Sequence, residues 1–166
     1  KSGSGKDEVA KYIKEYYIYK LEDSVITGYS KYVKTFAKEL TDWDGSENTK
    51  PRKFLQNTGA EIRSMDSKFL IRRMIEDISF YSRHVQNVII DDVRMPDEIT
   101  SMYESFDNVY SMYIVNQFAT SKLTIEEQSD ITETALEDYS NFDFIIANDD
   151  KKTLKDKVFK FLESVE

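Results

Sequence analysis

Lys1-Ser2-Gly3-Ser4-Gly5-Lys6-Asp7-Glu8 opens the sequence and runs straight into an apolar periodicity. Two glycines allow backbone conformations that a Cβ obstructs. Successive N–H groups in such a loop can cup an anion, and the N-terminus of a following helix favours negative charge. Lys6 stands after the second glycine, where the signature G-x-x-x-x-G-K-[ST] places its phosphate-reaching lysine. The first glycine of that signature would precede Lys1, and Asp7 stands where a hydroxyl residue is expected. A Gly/Ser-rich linker is the plain alternative, but a linker need not lead directly into an amphipathic helix. The stretch therefore predicts a phosphate-binding loop between a strand and a helix, with that strand lying before Lys1.

Downstream, Val9, Tyr12, Ile13, Tyr16 and Tyr17 share one face of a helix over about 7–19. Residues 23–29 read as a buried strand ending at Gly28, and Ser30 as the cap of a helix over 31–40. Asp44-Gly45 is a turn signal. Pro51 suits the start of a helix over 52–64, and Asp66 or Ser67 can cap another reaching Arg83. Asn87-Val88-Ile89-Ile90-Asp91-Asp92-Val93-Arg94 has the continuous apolar run of a strand covered on both faces, closed by two carboxylates and an arginine. Further strands are expected over 109–115 and 142–147, with a final helix capped by Thr153. Alternating helices and apolar strands predict an α/β fold with a mostly parallel sheet flanked by helices.

The 166 residues are enough for one domain with a substantial core. Without cysteine there is no disulfide framework and no thiol chemistry. His84 is the only histidine, has no nucleophile motif around it, and reads as a surface residue at a helix end. The net charge of −8 argues against gripping polymeric nucleic acid. The sequence holds no apolar run of membrane-spanning length and no signal-peptide pattern, so a soluble, cytoplasmic protein is expected. Within this acidic chain all six arginines (Arg52, Arg63, Arg72, Arg73, Arg83 and Arg94) fall between positions 52 and 94. Arginine suits bidentate phosphate contacts, so this section can hold an anionic ligand. Solvated helix faces account for some of the six.

Two sets of residues carry the chemistry. Lys6 would neutralise donor phosphate charge. Asp7 is either an oxygen ligand for Mg²⁺ or an acid stabilised by the helix dipole. Ligands of open α/β sheets sit beyond the carboxyl ends of the strands, where Asp91 and Asp92 fall. One of the pair could bind Mg²⁺ or its water, and the other could orient Arg94 or the acceptor.

The combination of Gly3–Ile13 (G-S-G-K-D-E-V-A-K-Y-I), Thr58–Asp66, Ile89–Glu98, Asp130–Tyr139 and Phe142–Asp150 resembles the deoxynucleoside monophosphate kinases of phages and bacteria. The G-K-D loop and D-V-R-x-P-D-E are its most specific pieces. Animal-type phosphomevalonate kinases are similar in the same places. The resemblance implies a P-loop nucleoside monophosphate kinase-like three-layer fold, with ATP and Mg²⁺ as cofactors. The acceptor would be a small-molecule nucleotide, and a homodimer is admitted. It implies that Ser2, Gly3, Ser4, Gly5, Lys6, Asp7 and Glu8 bind the ATP phosphates. Ser30, Lys34, Arg63, Arg72, Arg73, Arg94 and Glu133 would face the acceptor. Lys6, Asp92 and Arg94 would be catalytic, and Asp7, Asp91 and Asp92 would hold the metal. A helical substrate region is implied over about 41–83 and a lid over about 116–135. The family's H-x-S-E reads Asp130-Ile131-Thr132-Glu133 here, and no arginine follows Arg94, so Lys122 would have to replace a lid arginine. Phosphomevalonate or another small phosphate as acceptor, and nucleotide binding without turnover, stay open as alternatives.

Overall fold

Parallel pairing of short apolar strands, each followed by a helix, organises the chain. The computed structural model describes residues 3–116 and 123–165. In chain order it contains α1 (Lys6–Tyr19), β1 (Ser24–Thr27), α2 (Ser30–Leu40), α3 (Arg52–Met65), α4 (Phe69–Tyr81) and β2 (Asn87–Ile90). These are followed by α5 (Pro96–Ser105), β3 (Met112–Val115), α6 (Ile125–Gln128), α7 (Ile131–Thr134), β4 (Phe144–Ala147) and α8 (Lys151–Val165). The protein is an α/β structure in which every described strand pairing is parallel.

The strands form two separate pairs. β1 lies beside β2 with Val25 opposite Val88 and Thr27 opposite Ile90. β3 lies beside β4 with Tyr113 opposite Ile145 and Val115 opposite Ala147. Each pair has its own buried cluster. Tyr29, Val33, Ile62, Met74 and Met102 pack where α2, α3, α4 and α5 meet the first pair. Val9, Tyr16, Ile114, Ile146, Leu154 and Val158 pack where α1 and α8 cover the second. Helix α1 also lies against β1 and β2, so it links the two halves.

The strands are shorter than their sequence patterns suggest, four residues each, because the flanking residues leave the ladder for side-chain contacts. At residues 109–111, for example, Ser111 N–H donates to the Asp143 carboxylate at 2.6 Å. Two expected caps are also replaced. Ser30 is the first residue of α2, and the N–H groups of Tyr29 and Ser30 donate to the Asp92 carboxylate at 2.7 and 2.9 Å. In α8 the Asp150 carboxylate, rather than Thr153, accepts from an N-terminal amide, that of Lys152, at 2.9 Å. In both places a carboxylate outbids a neutral hydroxyl, since charge-assisted hydrogen bonds are the stronger. The helix expected from Asp66 or Ser67 to Arg83 begins instead at Phe69 and ends at Tyr81.

Gly28 is set by this arrangement. A Cβ placed on it would lie 2.6 Å from the Asp92 carboxylate, which two amides hold in place and which cannot swing away cheaply. Gly28→Ala is therefore expected to destabilise the protein by about 1–3 kcal/mol, the cost of overpacking. The check is the urea unfolding midpoint, and an unchanged midpoint would show that Asp92 can give way.

Candidate functional site

The loop before α1 has the backbone its glycines foreshadow. Gly3 and Gly5 adopt positive φ angles of 77° and 101°. The amides of Glu8 and Val9 both donate to the Gly5 carbonyl, at 3.1 and 3.0 Å, and so start the helix. Gly5 can carry nothing larger than hydrogen, because a Cβ there would lie 2.3 Å from Asn148 Nδ2. That amide is buried and donates to the Ser4 carbonyl at 2.9 Å. Asn148 directly follows β4, and its own N–H donates to Val115 at the end of β3 (2.7 Å). The loop is thereby fastened to the carboxyl ends of the second strand pair.

Its other side faces the first pair. Lys6 is largely withdrawn from solvent, and burial, followed by the positive Arg94 guanidinium, holds its amine below the ordinary lysine range. Asp7, Glu133 and Asp92 pull it the other way. Asp91 and Asp92 follow β2, and the Asp91 N–H continues the ladder to Thr27 at 3.1 Å. Burial, then the negative charges of Asp92 and Asp7, push the Asp91 carboxyl up to about 6, against Lys34 and a hydrogen bond from its own backbone. Lys6, Asp7, Asp91, Asp92, Arg94 and Glu133 thus meet at the carboxyl edge of the sheet, where α/β proteins bind their ligands.

Arg94 is held at both its ends. Its backbone N–H donates to Glu98 Oε2 at 2.7 Å, and the Met95 N–H donates to the same oxygen at 3.1 Å. Its guanidinium donates to Glu133 at 2.6 Å and to the Thr132 carbonyl at 3.2 Å. Glu98 is buried, and burial outweighs those two backbone bonds, raising its carboxyl to about 7. Sequence reasoning gave Glu98 no role. Its signal was an acid three residues after the cap position of α5, obscured because Met95 stands there where a capping box has Ser or Thr.

Among the other expected residues, Arg63 is near enough to lower the Glu98 carboxyl, so it joins the margin of the site. Ser30 enters through its backbone only, on Asp92. Arg72 and Arg73 are not brought to the loop. They are exposed on α4 and pair with Asp66 and Glu76 respectively. The Glu8 carboxylate bonds to the Tyr12 hydroxyl one turn further along α1. His84 is exposed and its ring lies 4.9 Å from that of Phe80. Ser2 and Lys122 lie outside the described residues, as does part of the 116–135 segment. The rest of that segment contains α6 and α7, with Gln56 of α3 donating to the Glu127 carbonyl at 3.4 Å.

The loop fits an anion on its own atoms. The Ser4 hydroxyl is buried with no hydrogen-bond partner among the described residues, and two left-handed glycines and a helix N-terminus surround it. For a metal the fit is weaker. Among the described residues, no three acidic or histidine side chains are grouped so as to hold an ion, so Asp7, Asp91 and Asp92 do not form a ready three-carboxylate cage. Mg²⁺ needs less, since it commonly uses one or two carboxylates plus phosphate oxygens and water. No helix among the described residues is long and apolar enough to cross a membrane. No protein-family model matches the chain, and a search of curated proteins returns no significant match.

Asp91 generates a pH prediction. Its native value of about 6 lies above that of a free carboxyl, so the folded state holds the proton more tightly. The resulting stabilisation is complete below about pH 4 and lost as pH rises through 6. Asp91→Asn should therefore be more stable than the parent at pH 8, by about 1 kcal/mol once screening on its open side is counted, with no difference at pH 4. Urea midpoints at the two pH values test this, and an equal offset at both would remove the charge as its cause.

Proposed function

We propose that this chain is an ATP-dependent phosphotransferase that converts a nucleoside or deoxynucleoside monophosphate to the diphosphate. One observation carries the reading. A glycine-built loop ending in the half-buried Lys6 is fastened to the carboxyl ends of the second parallel strand pair, with Lys6 within reach of the charges of Asp92, Arg94 and Glu133 beyond the first. That arrangement, with helices on the strands, supports a P-loop nucleoside monophosphate kinase-like three-layer fold. Residues 41–83 would then form the acceptor-binding region and 116–135 the lid.

In this reading the bond from the terminal phosphorus to the ADP oxygen breaks as a bond to an acceptor phosphate oxygen forms. The protein positions and neutralises rather than entering covalent chemistry. Gly3, Ser4, Gly5 and Lys6 would hold the donor phosphates through backbone N–H groups, the Ser4 hydroxyl and the Lys6 ammonium. Burial and Arg94 lower the Lys6 amine, and the carboxylates of Asp7, Glu133 and Asp92 oppose that shift and favour the ammonium. Bound Mg²⁺ would neutralise donor phosphate charge, with Asp7, Asp91 and Asp92 as its candidate carboxylates. Asp92 also organises the acceptor side, since it holds the start of α2 through Tyr29 and Ser30. Arg94, positioned by Glu98 behind it and Glu133 in front, would meet the acceptor phosphate, with Arg63 at the margin.

A second acceptor class has an observation of its own. The cavity beside α2 is lined by four lysines, which favours an acceptor with a further anionic group, such as phosphomevalonate, over a neutral base.

Lys6→Ala is expected to lower phosphoryl transfer by at least 100-fold while leaving the circular dichroism spectrum unchanged. The measurement is coupled ADP release over a panel of nucleoside and deoxynucleoside monophosphates plus phosphomevalonate. Parent turnover with phosphomevalonate alone would select the second class. ATP binding without turnover on any acceptor would overturn the enzymatic reading, and near-normal turnover of the variant would remove Lys6 from the chemistry.

A further inference from the structure

The protein carries a net charge of −8, yet its α2 helix builds a concentrated positive wall. A cavity of about 330 Å³ between α2 and the 41–50 segment is lined by Lys31, Lys34, Lys38 and Lys50, with Trp43 and Glu47 completing the part that matters here. Its size falls within the range of small-ligand sites, roughly 300–1,000 Å³.

The four ammonium groups are not equivalent. Lys31 is consumed by the fold. It pairs with Asp77 at 2.6 Å and donates to Thr27 Oγ1 and the Tyr81 hydroxyl at 2.8 and 3.1 Å. Lys50 pairs with Glu47 at 3.0 Å, and Glu47 is shared with Arg52. Lys34 and Lys38 form no ion pair among the described residues. They stand one turn apart on α2, where like charges repel. Lys38, though exposed, lies against the turn. Its ammonium lies 5.9 Å from the centroid of the Trp43 ring, and a Cβ on Gly45 would lie 2.9 Å from its Cε and Nζ. Gly45 has a φ of +90°, so the turn that Asp44-Gly45 foreshadowed brings the backbone against this lysine. Trp43 is buried and anchored by its indole N–H, which donates to the Ser46 carbonyl at 2.8 Å. Lys34 acts toward the other side as well, where its charge reaches Asp91 at the end of β2.

We infer that this cavity is a binding site for a small phosphate compound with two or more anionic groups, received by Lys34 and Lys38, which form no ion pair among the described residues. Two ammonium groups lining one cavity, whose lining carboxylate Glu47 is already shared by Lys50 and Arg52, match a dianion better than a monoanion. The lining has few groups to read an uncharged base. The inference concerns binding alone and does not depend on the phosphotransfer reading.

Trp43 is the only tryptophan in the sequence, so its fluorescence reports this cavity. Pyrophosphate is the probe, with inorganic phosphate for comparison, titrated into the parent and into Lys34→Gln, Lys38→Gln and Lys6→Ala variants. Glutamine keeps good helix propensity, so α2 is retained. The expected result is a saturable Trp43 signal with pyrophosphate binding at least 10-fold more tightly than phosphate. Each glutamine variant should weaken it about 10-fold, and Lys6→Ala should leave it unchanged. Calorimetry on the same variants keeps the affinity readout independent of any change that Lys38→Gln makes to the indole signal itself. Absence of saturable binding in the parent overturns the inference. So does binding that survives both glutamine variants but is lost in Lys6→Ala, which would assign the anion to the loop instead.

Discussion

Asp92 joins parts of the chain that are more than sixty residues apart in sequence, and the candidate site depends on that join. Both of its carboxylate oxygens accept backbone N–H groups, those of Tyr29 and Ser30, at 2.7 and 2.9 Å. The first amides of a helix have no intrahelical partner, and leaving them buried and unpaired costs about 1–3 kcal/mol each. A carboxylate at the end of β2 satisfies two at once and also complements the positive end of α2. The requirement then spreads outward. Gly28 must lack a side chain, and β1 must end where it does. Asp91, next to this carboxylate, is raised by burial and then by the charges of Asp92 and Asp7.

The parts of this arrangement that are local in sequence were legible there. The Gly-Ser-Gly-Lys run shows in the residues because only glycine tolerates the φ values that Gly3 and Gly5 adopt. The apolar run at 88–90 shows because a strand covered on both faces needs no alternation. Asp44-Gly45 likewise marked a turn that the backbone makes. The long-range pairings were not legible. Ser30 has the composition of a cap, but nothing in its neighbourhood announces that Asp92 will take its amide. Glu98 looked like an ordinary first-turn acid until its carboxylate was seen to hold the backbone of Arg94. The arginine clustering was visible, but its meaning was not, because Arg72 and Arg73 find acids on or beside their own helix.

Lysine behaves in the opposite way in this chain. Lysines are scattered through the sequence and carry little information as a pattern. Lys31, Lys34 and Lys38 recur at helical spacing on α2 and would pass for a solvated polar face. The 41–50 segment changes that by folding back over them through Trp43 and Gly45. The exposed Lys38 side chain lies against an indole ring and a glycine backbone. Contacts of that kind restrict a flexible side chain and lower the entropic cost of ordering it against a ligand. Composition could not show it, because the confining groups are a turn and an aromatic ring rather than charges.

The same edge of the molecule is also where charge is held against its preference. Lys6 is pushed toward neutrality by burial and by Arg94, while Asp91 and Glu98 are pushed toward protonation by burial. In a structural ion-pair network, neighbours would be chosen to relieve such shifts, as Asp77 does for Lys31 at 2.6 Å. At the loop the relief is incomplete. Lys6 faces both Arg94 and carboxylates, and Asp91 faces two other acids, opposed by Lys34 and by its own backbone N–H. Perturbed groups of both signs, gathered at the carboxyl ends of parallel strands, mark functional sites more often than structural ones. An incoming anion would relieve the cations and an incoming cation would relieve the acids. An anion accompanied by a divalent ion would do both, and the proposed phosphotransfer would bring such a pair to this edge.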